Sequence, residues 1–280
     1  MKRNIFYIVS LIIALQIIPS VVNSASSLAV WEDKYERAKT LYDKGLYLLA
    51  SLEFKQFIQK YPESQLISES KFYLAECLYY QEKYEQALEE YQRLSQTHLN
   101  SELGSKVLSR LTQVLTELKH PQEEIISICQ KIIKYYPRSE YAASALYLSG
   151  KYSYEKQDYS RASEYFQQIS KNHPKSTHFV ISLYLQAVSL YYGEHFQEAT
   201  VPFSQFIKVS SDIELQAKAQ YFIAICWYKE KNWAQAFIES EKFVNSYPTH
   251  QLLPDALFIK GYFSIIKEKS DIADSNCFWE

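Results

Sequence analysis

Glycine is nearly missing from this chain, with five residues in 280. So little glycine leaves no material for a phosphate-cradling loop, and no Gly-x-Ser-x-Gly elbow or His-Glu-x-x-His run occurs either. An excess of basic charge is missing too: 30 Lys and Arg stand against 32 Asp and Glu, without a Lys/Arg stripe. That excludes the electrostatic footprint of a nucleic-acid binder. The six histidines, His98, His120, His173, His178, His195 and His250, fall in predicted turns or near helix ends and read as solvated surface residues. His173 and His178 flank Pro174 in a linker, which is not the helical pair a metal needs. Acidic pairs such as Glu89-Glu90 and Glu123-Glu124 read as solvated helix faces. No catalytic residue, metal ligand or cofactor is therefore expected.

Cysteine is sparse, and its placement argues against bridges. Cys77 and Cys226 occupy the same place in repeats four units apart. Helices pack ~8–10 Å apart, so that separation exceeds the ~7 Å a disulfide spans between Cα atoms. Cys129 and Cys277 fall on second helices near the apolar stripe, and all four read as buried free thiols.

Long apolar runs are also missing, apart from one at the start. Lys2 and Arg3 precede an apolar stretch from Ile5 to Ile18, then Pro19, then the small residues of Val22-Asn23-Ser24-Ala25-Ser26. This is the layout of a secretory signal over residues 1–25, cut near Ser24 to Ser26. The apolar core is about 14 residues, short of the ~20 of a bilayer span. Retention as an uncleaved anchor is the alternative. Either way the remainder is expected to be exported to the periplasm.

What the chain does have is a period of about 37 residues. Small residues recur at Ala38, Ala75, Thr112, Gly150, Ala187, Ala224 and Gly261. A second ladder keeps the step at Ala50, Ala87, Ile125, Ala162, Ala199, Ala236 and Ala273. Around the first, apolar residues four apart, such as Leu74 and Leu78, give an inward helix stripe. Around the second, a bulky residue follows at Phe54, Tyr91, Phe166 and Phe203. Proline closes the unit at Pro62, Pro137, Pro174 and Pro248, since it lacks the amide a helix needs. The third unit is the weakest: Thr112, Ile125 and Pro121 replace the small residue, the alanine and the turn aromatic. A local irregularity or altered curvature is predicted there.

These columns resemble the tetratricopeptide repeat over roughly residues 31–280. The Tyr-Pro-x-Ser links at Tyr61-Pro62-Glu63-Ser64 and Tyr136-Pro137-Arg138-Ser139 look like the longer-loop repeats of the periplasmic BamD and CpoB (YbgF) group, which serves outer-membrane assembly and the Tol–Pal system. The chain departs from that group in lacking a lipidation Cys near the cleavage point and a coiled-coil segment before the repeats. The resemblance implies an all-α, right-handed superhelical solenoid of about seven helix pairs, the seventh incomplete. Asn276-Cys277-Phe278-Trp279-Glu280 is no polar cap, and this end reads as a shortened product or altered reading frame, with docking on a partner as the alternative.

The implied role is a non-enzymatic periplasmic scaffold that binds protein or peptide partners through a concave helical face, in envelope or outer-membrane maintenance. The alternative is a membrane-anchored, chaperone-like periplasmic module. A peptidoglycan-cleaving repeat enzyme would need a catalytic Glu domain, and none is visible. Rings recur three residues before and four after the small column, and seven residues make two helical turns, so both rows share a face. Tyr79, Tyr147, Tyr154, Tyr184, Tyr191, Tyr221 and Tyr228 are the candidate partner-binding residues. Packing between repeats is their alternative role. Glu69, Glu76, Lys151, Lys218 and Lys229 are expected to rim the groove with mixed charge.

Overall fold

The computed structural model describes residues 31–97, 101–262 and 265. The proposed signal segment, His98, Ala273 and the final residues with Cys277 lie outside the described residues. Within them the chain is all-helical, without a strand. The helices are α1 (31–43), α2 (Tyr47–Lys60), α3 (Ile67–Tyr80), α4 (Tyr84–Thr97), α5 (Glu102–Glu117) and α6 (Gln122–Tyr135). They continue as α7 (Glu140–Glu155), α8 (Tyr159–Asn172), α9 (Phe179–Tyr192), α10 (Phe196–Val209), α11 (Ile213–Lys229), α12 (Trp233–Ser246) and α13 (253–262).

The punctuation follows from local chemistry. Helices α2, α6, α8 and α12 each stop two residues before Pro62, Pro137, Pro174 and Pro248. The serine of the link then does two jobs. Ser64 N–H donates to the Tyr61 carbonyl at 3.0 Å, and its hydroxyl accepts from Leu66 N–H at 3.2 Å. Ser176 repeats this arrangement, and His250 takes the serine's place, its Nδ1 accepting from Leu252 N–H at 3.1 Å.

Helices α1, α3, α5, α7, α9 and α11 each end in a Schellman turn. In α3, Lys83 N–H reaches the Leu78 carbonyl at 3.0 Å and Glu82 N–H the Tyr79 carbonyl at 2.9 Å. The residue at the bend is left-handed: Gly45, Glu82, Lys119, Gln157, Glu194 and Lys231. Only the first of these is glycine, so the other five hold a conformation that costs roughly 1–2 kcal/mol for an L side chain. Gly193 does not relieve this strain, because the left-handed residue is the next one, Glu194.

The chain divides into two compact units, up to Pro121 and from Gln122 onward. The boundary falls inside the third repeat, where the columns are weakest. Within each unit, consecutive helices pack on one another. Ala38, Ala50, Ala75, Ala87, Ala162, Ala187, Ala199 and Ala224 are fully buried, which is why the two ladders need small side chains. At Gly150 even a methyl group is too much, since a Cβ there would stand 2.7 Å from the Phe166 ring. The bulky column fills the core, with Phe54, Tyr91, Phe166 and Phe203 inaccessible. In the second unit an apolar cluster joins Leu183, Ala187 and Val188 of α9 to Ala199, Phe203 and Phe206 of α10 and to Ala219, Ile223 and Cys226 of α11. Cys77, Cys129 and Cys226 are buried and free, and burial pushes each thiol up to about 12.

Candidate partner-binding site

The seven candidate tyrosines all sit on first helices, and all are half-buried. In the first unit, Tyr79 of α3 meets Tyr84 edge-on at 5.4 Å, closing over its own hairpin turn. The other six lie in the second unit, two each on α7, α9 and α11. On α7, Tyr147 stacks on the His178 ring at 4.6 Å and Tyr154 meets Tyr159 and Tyr192 at 5.4 and 6.0 Å. On α9, Tyr184 meets Phe203 and Phe206 at 5.8 and 5.2 Å, and Tyr191 meets Phe196 and Phe222 at 5.6 and 5.0 Å. On α11, Tyr221 meets Phe243 at 6.0 Å, and Tyr228 meets Trp233 and Tyr262 at 5.4 and 5.5 Å.

The ring bodies thus seal seams between helices, and the hydroxyls are a separate matter. Among the described residues none of the seven hydroxyls has a hydrogen-bond partner, and none is sealed from solvent. Burial raises the phenols of Tyr79, Tyr154, Tyr184, Tyr191 and Tyr221 above the ordinary tyrosine value, so they stay protonated donors at neutral pH. In the second unit this gives six half-buried rings with polar tips free to bond a ligand, at the same two columns of three first helices.

Two expectations are corrected by the packing. Glu76 does not rim a groove, because it is 2% exposed. Its carboxylate accepts from Tyr42 Oη at 3.1 Å and from Tyr91 Oη, and pairs with Arg110 at 2.7 Å. Tyr91 is fully buried, and burial followed by the Glu76 charge raises its phenol strongly. The four groups come from α1, α3, α4 and α5, so no single repeat displays the cluster. Of the other proposed rim residues, Glu69, Lys151 and Lys229 are exposed and Lys218 is intermediate. Nor are the histidines uniformly solvated. The His250 side chain is 9% exposed and lies 3.1 Å from Glu214. His178 lies half-buried 3.1 Å from Ser144 Oγ, and burial lowers its pKa.

Sequence reasoning missed the groove between α8 and α10, second helices of adjacent hairpins. The available signal was Gln186, a buried glutamine at a column that is apolar at Leu74, Leu111 and Ile223 and polar at Arg37, Ser149 and Lys260. Among the described residues no group of three or more His, Cys, Asp or Glu is arranged to hold a metal, and no helix is long and apolar enough to cross a membrane.

Residues 35–97 and 144–176 each match a sequence model described as a tetratricopeptide repeat, one stretch in each compact unit. These two stretches are similar to tetratricopeptide repeats, and together they cover about a third of the chain. No curated protein matches it in sequence. Among solved structures, one chain of a Naa15/Naa10 complex bound to HypK is similar at TM-score 0.60 and 12% identity. That match covers 86% of this chain and 35% of the other, so this chain spans about a third of that relative. The C-terminal part of a tetratricopeptide-repeat protein from Cytophaga hutchinsonii is similar at TM-score 0.56 and 16% identity, covering 84% of this chain and 95% of the other. YrrB, described as having an unusual peptide-binding site, is similar at TM-score 0.52 and 16% identity, covering 72% and 96%. These likenesses establish a shared fold.

Proposed function

We propose that this repeat chain is a non-enzymatic scaffold that binds a protein or peptide partner along the first-helix tyrosines of its second unit. The observation that carries the reading is the set of six half-buried rings whose hydroxyls have no partner among the described residues. A ring held by its neighbours loses little rotamer freedom on binding, and its free donor selects among ligand acceptors. Peptide binding by a protein of this fold, as the description of YrrB states for that protein, agrees with this use of the architecture.

The proposed location is the periplasm, and the proposed role is maintenance of the envelope or outer membrane. Support for both comes from the basic–apolar–small start of the chain and from Tyr-Pro-x-Ser links that resemble those of the BamD and CpoB group. Affinity capture from an envelope fraction tests the binding face. Tyr184→Phe with Tyr221→Phe keeps both rings and removes both hydroxyls, so the fold is retained while partner recovery falls. Undiminished recovery by this double variant and by Tyr184→Ala with Tyr221→Ala, each shown helical by circular dichroism, sinks the proposal. N-terminal sequencing of the same material separates a cleaved, soluble scaffold from the anchored, chaperone-like alternative.

A further inference from the structure

We infer that the groove between α8 and α10 is a second binding site, built for an extended peptide segment that carries a basic and an acidic side chain. Two adjoining hollows of ≈ 440 and ≈ 420 Å³ form the groove. Both are lined by Gln167 of α8, Gln186 of α9, and Val201 and Pro202 of α10. Gln186 lies two residues from Tyr184, about 200° around the helix, so this groove is not the tyrosine face.

Gln186 is the central observation. It is 8% exposed, opens into both hollows, and has no hydrogen-bond partner among the described residues. Its amide reaches the hollows without a protein partner and offers both a donor and an acceptor, the complement of a peptide main-chain unit. Pro202 marks the α10 wall of both hollows. It sits inside α10 and has no amide hydrogen, so the Glu198 carbonyl loses its helical donor on the wall where Glu198 and Pro202 both line the hollow. The same repeat position carries Glu53, Glu90 and Glu239 elsewhere, so the proline is peculiar to this groove.

Charge sets the occupant and its spacing. Glu164 and Glu198 line one hollow, while Lys171 and Lys208 line the other. Glu164, Lys171 and Lys208 are exposed and have no ion-pair partner among the described residues. Seven to ten helical residues separate the two charged ends, about 10–15 Å. An extended peptide covers that span in about four residues. Side chains one, three and five of such a strand share a face, so the fitting pattern is charge, apolar residue, opposite charge. The apolar residue rests on Leu183 and the exposed Val201.

The test uses fluorescent capped peptides Lys-Ser-Val-Ser-Glu, the reversed Glu-Ser-Val-Ser-Lys, and neutral Gln-Ser-Val-Ser-Gln, titrated with the full chain. One charged order binds in the millimolar range or tighter, more tightly than the neutral peptide, and weakens as salt rises. Gln186→Leu, which installs the residue of the Leu74 and Leu111 positions, weakens binding about tenfold. Lys171→Glu with Lys208→Glu, on exposed side chains that cannot perturb the core, weakens it as well. Tyr184→Phe leaves it unchanged. Failure of both charged peptides to bind at millimolar concentration overturns the inference, as does full binding by the Gln186→Leu and lysine variants. Loss of binding in Tyr184→Phe places the peptide on the tyrosine face and likewise overturns it.

Discussion

Two hairpin junctions, one in each compact unit, fill the same three repeat positions in opposite ways. In the second unit, Val188, Phe203 and Phe222 make a dry contact, with the two phenyl rings stacked at 5.3 Å and 5°. In the first unit, Lys39, Phe54 and Tyr73 keep that stack at 5.7 Å and 13°, but one hairpin later the positions hold Glu76, Tyr91 and Arg110. There a buried carboxylate, a buried phenol and a guanidinium replace ring on ring. Net stability need not differ, because desolvating an ion pair offsets most of its attraction. Tolerance of change does differ. The stacked version degrades gradually when trimmed, whereas the ionic version leaves a charge stranded when one member is removed.

That contrast is sharpest when a single residue is transplanted. Arg110→Phe places the second unit's residue beside an unpaired Glu76 and destabilises the first unit by about 3 kcal/mol. Installing the whole set, Glu76→Val, Tyr91→Phe and Arg110→Phe, is neutral or stabilising by about 1–4 kcal/mol. Hydrogen exchange in α3–α5 reads both directly. A single variant as stable as the parent would show that the cluster holds nothing.

A smaller effect separates the units at their crossing points. Ala75 marks the crossing in the first unit, and Gly150 marks it in the second, under Phe166. Gly150→Ala would place a methyl 2.7 Å from that ring, so overpacking of about 1–3 kcal/mol outweighs the helix propensity gained. The expected fall in melting temperature is a few degrees. A rise would mean that the ring moves aside freely.

The smallest effect is a pH response confined to the second unit. Leu66 precedes α3, and His178 stands at the matching position before α9. Burial lowers the His178 pKa below its ordinary 6.5, so the folded state favours the neutral ring. Its contribution is present above pH 6.5 and is lost as pH falls through the lower, folded value. The ring is only half-buried and solvent screens part of the effect, so the loss between pH 7 and 5 is on the order of 1 °C. His178→Leu, borrowing the first unit's residue, should flatten that part of the melting profile; an unchanged profile would assign it to other groups.

Much of the fold was legible because it is written locally and repeatedly. Ala75, Ala87 and Leu94 announce buried faces through spacing alone, and Pro62 and Pro248 end their helices through missing amide hydrogens. The weak third repeat, with Thr112, Pro121 and Ile125, was legible as an irregularity, and the unit boundary falls there. Glu76 was misread, because helical phase places it beside the groove residues while its partners come from α1, α4 and α5. His250 was misread as a surface residue, since nothing in Tyr247-Pro248-Thr249-His250 shows an imidazole doing a serine's work. The groove holding Gln186 was missed for the same reason. A polar residue in a column that is apolar in some repeats and polar in others has no meaning until the two flanking helices are in place.

The sequence by itself determined the proline-closed helix ends, the small-residue ladders and the absence of a Cys77–Cys226 bridge, since each follows from spacing or covalent geometry. Only the tertiary structure decided which polar groups are buried, which are paired and which are left open. Burial depends on three or four helices converging on one side chain, and separation along the chain does not encode that convergence.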